Sequence, residues 1–422
     1  MRKNRFLFNK HVAVMAALGA LAAPLPVLSN EPGVLVEQLC ASCHSLNNLE
    51  RSASCHSLNN LERSAGYSQA DWQTLISYMV DTGEGTAFSK DISTYLAKHY
   101  PVNTKRESTV VKGDLKLNFK YWQVPTLGQR ARDPVQGENG LIWWVGQWGN
   151  ILGRLNPKTG EMKEYTLPIG TYAHSVSLDK NQTPWFLGNK NGTVGYLDLQ
   201  TEKFKVYKMP NKNARDPHTG VFDDAGIFWF TLQHSNMIGR LNPKNGDIKL
   251  ATLPTKGSRP YGIKLDSSGT PWVSCNGSNC LVKVDKNTMA LSEIKLPGAK
   301  THTRRLAITP DDMVFFVNSG MGKLGRYNPR NGKITQWDNP SGANSHPYAI
   351  EYADNAIWFN ESAKRPETLV RFDLKTQTMQ SWQIPSKEGV YSGLIRHMRM
   401  GNNGLIIHQT ATNQLAEITW SK

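Results

Sequence analysis

From about residue 115 to the end, apolar residues fall in short runs broken by Gly, Asn, Asp and Pro. Pro260-Tyr261-Gly262-Ile263-Lys264-Leu265-Asp266 reads as a strand, Ser267-Ser268-Gly269 as a turn, and the stretch centred on Trp272 as a second strand. A third strand opens on an aliphatic residue followed by Gly-Arg-Leu-Asn-Pro or a close variant. An Asn-Gly or Thr-Gly hairpin then leads to a fourth strand, such as Ile334-Thr335-Gln336-Trp337. The third-strand signature starts at Leu152, Ile238 and Leu324, with weaker copies at Val194, Leu281, Leu369 and Leu415. Seven copies spaced 42 to 46 residues apart, with four short strands per unit, predict a seven-bladed β-propeller. Trp143, Trp185, Trp229, Trp272, Phe315 and Trp358 occupy equivalent places, as packing between blades requires. The seventh unit ends at Trp420, before its outer strand, and Phe119–Pro125 has the outer-strand pattern. That segment is expected to close the ring beside the last blade and so remove the free sheet edges.

The periodicity changes upstream. Ser68 reads as an N-cap with Asp71 three residues on, before a helical stripe of Trp72, Leu75, Ile76, Met79 and Val80 that Gly83 stops. A second helix is expected from near Ser89, burying Ile92, Tyr95 and Leu96 and ending at Pro101. The first 29 residues read as a cleaved export signal. Arg2, Lys3, Arg5 and Lys10 precede a short apolar run, Val12 to Ala23, and Val27-Leu28-Ser29 offers a cleavage site. The expected organisation is a signal peptide (1–29), a small all-α domain (30–103), a polar linker (104–113) and a mainly β propeller (114–422).

Chemistry enters at Cys40-Ala41-Ser42-Cys43-His44. C-x-x-C-H is the attachment motif for haem c: two thiols a helical turn apart reach the vinyl groups of one porphyrin, and the next residue, His44, stands beside the iron. Zinc would need a second ligand pair nearby, and a thioredoxin-like motif would need a βαβ setting; neither is present. The small domain is therefore expected to be cytochrome c-like, with one covalent haem. Met79 is the expected sixth ligand, and His99 and His56 are its rivals. Residues 41–52 repeat letter for letter as 53–64. The copy has Cys55 and His56, but Ser52 stands where its first thiol would be, so haem is expected on the first copy.

The full chain carries a formal charge of +15, and removing the four basic residues of the signal lowers it to +11. The charge is spread over the repeats and the chain is read as exported, which argues against nucleic acid. An acidic redox partner or electron acceptor, or an anionic membrane surface, fits better. Cys275 and Cys280 are open to two readings, a small disulfide loop or two buried thiols.

The propeller repeats, over roughly residues 115 to 420, resemble those of the virginiamycin B lyase (streptogramin lyase) family. That resemblance implies a seven-bladed propeller whose Pro-His and Trp-Phe-Thr-Glu motifs hold Mg²⁺ and supply a base that opens a cyclic depsipeptide ester by elimination. Pro217-His218 matches the His motif and His174 stands at the same site one blade earlier. Trp358-Phe359-Asn360-Glu361 matches the Glu motif, while Gly146, Gly188, Leu232, Cys275, Asn318 and Gln409 stand at its other copies. Inner-strand starts should surround the channel, bringing His174, His218, Tyr261, Arg304, Arg305, Tyr348, Glu361, Arg396 and His397 to one mouth suited to an anionic or oxygen-rich ligand. The expected function is a periplasmic haem-dependent oxidoreductase that couples electron transfer to a substrate- or partner-binding propeller. A metal-dependent carbon–oxygen lyase and a non-catalytic binding propeller are the alternatives.

Overall fold

The computed structural model describes residues 67–78, 87–101, 106–298, 302–385 and 394–422. The signal segment, Cys40, Cys43, His44, the duplicated stretch and Met79 lie outside them.

Seven four-stranded antiparallel sheets stand around a central axis, the first six running in chain order from an inner to an outer strand. The inner strands are Ala131–Gln136, Ala173–Leu178, Pro217–Phe222, Pro260–Leu265, Thr303–Ile308, Pro347–Ala353 and Met398–Met400, in blades 1 to 7. Neighbouring inner strands touch, and the last touches the first, so the ring is closed. The outer strand of blade 7 comes from the start of the propeller: Lys116–Gln123 pairs antiparallel with Gln414–Ser421, Phe119 opposite Ile418. The closure expected from Phe119–Pro125 is therefore present.

The repeat residues have local physical reasons. Trp143, Trp185, Trp229, Trp272, Phe315 and Trp358 are all buried, at matching register positions on the second strands. The Asp at the end of three inner strands accepts from an indole: Trp185 on Asp179 (3.1 Å), Trp229 on Asp223 (2.8 Å) and Trp272 on Asp266 (2.9 Å). The glycine of the third-strand signature faces an aromatic residue across the ladder. Gly153 lies opposite Trp144, Gly239 opposite Phe230 and Gly325 opposite Phe316. A Cβ at those glycines would lie 2.1, 2.4 and 2.2 Å from the facing ring, so the ring occupies the space a side chain would need. Cys275 and Cys280 end the blade 4 hairpin as buried free thiols, their sulfurs 2.7 Å apart.

Among the described residues two helices precede the ring, α1 (Gln69–Ser77) and α2 (Ala87–His99). The expected capping box is formed: the Asp71 amide donates to Ser68 Oγ (3.1 Å), and the Ser68 amide donates to Asp71 Oδ2 (3.0 Å). Trp72, Leu75 and Ile76 of α1 pack with Ile92 and Leu96 of α2, and the same cluster includes Ala411 and Leu394 of blade 7. The Gly128 amide donates to the Tyr78 carbonyl (2.8 Å), and the Arg365 guanidinium lies 4.3 Å from the Tyr67 ring centre. The stretch expected as a linker runs along blade 6. The Val111 amide donates to Ser381 Oγ, and the Ser381 amide donates to the Val111 carbonyl, both at 2.9 Å.

Candidate functional site: the cation-rich channel

Each inner strand begins with the same local distortion. In blades 1 to 6 the residue before it, Arg130, Tyr172, Asp216, Arg259, His302 or His346, has φ between 43° and 56°, and in blade 7 Leu394, four residues ahead of Met398, has φ 55°. The ladder then slips by a bulge, after the second pair in blade 1 (between Arg132 and Val135) and after the first in blades 2 to 6, as between Pro217 and Gly220 or Pro260 and Ile263. A left-handed residue costs a non-glycine roughly 1–2 kcal/mol, and a bulge re-aims side chains. Here the bulged residues are the ones that project into the channel.

These residues meet across the axis. His174 Nδ1 lies 2.8 Å from the His218 carbonyl and the two rings lie 3.5 Å apart. Tyr261 packs against His218 at 4.0 Å and shares a hydroxyl–hydroxyl hydrogen bond with Tyr348, two blades away. The Arg304 guanidinium lies 4.5 Å from the Tyr348 ring centre and that of Arg396 lies 6.0 Å away. Arg305 Nη2 donates to both carboxylate oxygens of Asp133 at 3.4 Å, from blade 5 to blade 1, while its Nε donates to the Arg396 carbonyl at 2.6 Å. His397 Nδ1 lies 3.2 Å and His174 Nδ1 3.9 Å from the same carboxylate. Further along the inner strands, Lys264 pairs with Glu351 at 2.6 Å, blade 4 to blade 6.

Burial controls the charge states. Desolvation alone would push the Asp133 carboxyl up, but Arg305, His397 and Arg132 outweigh it and hold it well below the usual carboxylate range. Burial, reinforced by nearby guanidinium groups, holds His174, His218 and His397 well below the ordinary imidazole value. They are therefore neutral near pH 7 and act as hydrogen-bonding and packing groups.

Of the residues read from the sequence, His174, His218, Tyr261, Arg304, Arg305, Tyr348, Arg396 and His397 come together here. Glu361 does not join them. Fully buried at the end of its strand, its carboxylate accepts from the Ser341 amide (2.9 Å), Ser341 Oγ (2.5 Å) and Thr368 Oγ1 (2.5 Å), stitching the strand to its neighbours. The reason is its ladder position: Glu361 faces Pro347 on one side and Thr368 on the other. The residues also fit Mg²⁺ poorly. A hard cation needs several oxygen ligands. Among the described residues no group of three His, Cys, Asp or Glu could hold a metal ion, and Asp133 is already engaged by Arg305. His99 is exposed at the end of α2, stacked on Tyr95 at 4.0 Å.

Sequence reasoning missed Arg132 and Asp133. In blades 3, 4 and 6 a proline precedes the channel residue (Pro217, Pro260, Pro347), whereas in blade 1 Pro134 follows it, which hides the equivalence. An Arg-Asp pair in an inner strand, with no turn to explain it, was the available signal. It also missed Glu367, whose buried carboxyl accepts from Asn360 Nδ2 and from the Ile395 amide (3.2 Å) and is pushed up to about 8, chiefly by burial.

Fold and site together define a seven-bladed propeller with a buried, cation-rich channel. Residues 136–418 match the Virginiamycin B lyase family, and the chain belongs to that family. Its fold is similar to that of selenomethionine-substituted virginiamycin B lyase from Staphylococcus aureus, with TM-score 0.65 and 22% identity over 72% of this chain and 99% of that one. A streptogramin B lyase structure matches at TM-score 0.65 and 22% identity, over 72% of this chain and 98% of that one. A catalytically inactive variant of the S. aureus lyase with quinupristin matches at TM-score 0.64 and 23% identity, over 72% and 99%. At such identities the likeness is one of fold. No curated protein is significantly similar to the chain.

Proposed function

We propose that this protein is an exported haem c protein of the periplasm that couples electron transfer to ligand binding in the propeller channel. Cys40 and Cys43 would hold the haem and His44 the iron, with Met79 as sixth ligand; the haem would supply one-electron transfer. The observation that carries the reading is where the helices after this motif dock. Leu394, packed against them, stands two residues before Arg396, and Gly128, bonded to Tyr78, stands four before Arg132. The segment that follows the haem motif thus packs beside the strand starts that line the channel, which supports a haem near the channel mouth. The charge of +11 without the signal suits an acidic redox partner, an electron acceptor or an anionic membrane surface.

Periplasmic expression with cytochrome maturation tests the first link. A covalent haem spectrum is expected, lost in Cys43→Ala, and reduction by a substrate should follow. A mature protein without haem would overturn the reading. Haem that stays oxidised while the propeller captures a partner without turnover would make it a binding protein instead.

Family membership favours a second reading, a carbon–oxygen lyase. Under it, Glu361→Gln and His218→Ala should both abolish metal-dependent opening of a cyclic depsipeptide. The contacts of Glu361 argue for a structural role, so under the first reading Glu361→Gln weakens the fold and leaves haem reduction intact.

A further inference from the structure

We infer that the channel beside Asp133 is a binding site for a small oxyanion, with Arg132 as its principal anchor. The inner strands, with Arg396 and His397 just ahead of the last, carry six basic side chains (Arg132, Lys264, Arg304, Arg305, Arg396, Arg399) and two carboxylates, Asp133 and Glu351. Glu351 is taken by Lys264 and Asp133 by Arg305. Arg132 is left sharing Asp133, its Nε 3.6 Å from Oδ1, although its side chain is only 1% exposed. Its Nη1 donates to Gln147 Oε1 at 2.7 Å, while Nε and Nη2 are buried without a hydrogen-bond partner.

A guanidinium removed from water needs acceptors for all its donors. The neighbouring histidines are neutral and cannot balance its charge. An oxyanion does both: two of its oxygens match the Nε and Nη2 pair of one guanidinium fork. Arg304 and Arg396, which converge on Tyr348 in the same channel, add positive potential. The same excess charge repels Mg²⁺, so the site selects the opposite sign of ligand from the one the lyase motif would take.

This inference goes beyond the redox reading, because it concerns binding and not reduction. The test is a calorimetric titration of the full-length protein with inorganic phosphate, sulfate or acetate, against sodium chloride of equal ionic strength. At least one oxyanion should bind saturably, and Mg²⁺ should not. Arg132→Gln should weaken that binding by roughly tenfold to a hundredfold, the weight of a charge-assisted hydrogen bond. Arg132→Lys, which keeps the charge without the fork, should fall between. Absence of saturable binding by every oxyanion in the wild type overturns the proposal, as does unchanged affinity in a folded Arg132→Gln. If that variant does not fold, the wild-type titration and Arg132→Lys decide. Haem reduction is not read in this assay, so failure of the redox reading leaves its outcome untouched.

Discussion

Replacing Asp133 with Asn tests whether the channel is held by one shared carboxylate. Asp133 is completely buried, with Arg305 at 3.4 Å, Arg132 at 3.6 Å and His397 at 3.2 Å. The substitution keeps the shape and deletes the only negative charge among them. Removing one partner of a buried ion pair costs about 3–5 kcal/mol, because the other charge stays buried without compensation. For a propeller of about 300 residues, an unfolding entropy near 2.1 cal/mol/K per residue turns that into a fall in melting temperature of roughly 5–8 °C. The pH dependence has a definite sign. The carboxyl is held below its unfolded value, so its contribution is present above the unfolded carboxyl range and lost as pH falls through the folded value. Thermal unfolding followed by circular dichroism should therefore show a gap between wild type and variant that is flat across neutral pH and narrows only in acid. Adding Arg305→Gln should recover part of the loss, since the orphaned charge goes with it. A variant melting within about 1 °C of wild type would refute the reasoning. So would a gap that widens in acid, or a double variant as poor as the sum of the singles.

Two other substitutions test the frame. Gly239→Ala sets a methyl 2.4 Å from the Phe230 ring and should destabilise by roughly 1–3 kcal/mol in denaturant melts, with Phe230→Leu restoring part of it. Glu367 is pushed up to about 8 when folded, so the stability it contributes is full below about 4.5 and declines as pH rises to about 8. Glu367→Gln, a permanent mimic of the neutral acid, should remove that decline, and its melting temperature should gain on the wild type from pH 5 to pH 8.

Much of the frame was legible because it is local and repeated. Alternating strands and turn residues recur seven times and the Trp or Phe site six times, so each unit reports its own hydrogen bonding and packing, and the count follows from the period. The closing strand was readable for the same reason: Phe119-Lys120-Tyr121-Trp122 has an outer strand's alternation and the seventh unit lacks one. The Ser68–Asp71 capping box needs only three residues of separation.

The site was legible in part. Residues at the starts of inner strands were placed at the channel by repeat position alone, and His174, His218, Tyr261 and Tyr348 are there. Which way a side chain turns at a strand end was not readable: Glu361 matched a motif yet is consumed by Ser341 and Thr368. The signature glycines stood out in the sequence, but only the facing rings of Trp144, Phe230 and Phe316 explain them.

The sequence by itself determined the blades, their number and their closure, because those depend on neighbours along the chain. The tertiary structure alone decided that Asp133 meets Arg305 and that Tyr261 meets Tyr348, residues 172 and 87 positions apart. Such pairs form across the axis only after the ring closes. Their energy comes from sharing a buried space with little water, which leaves no periodic trace along the chain.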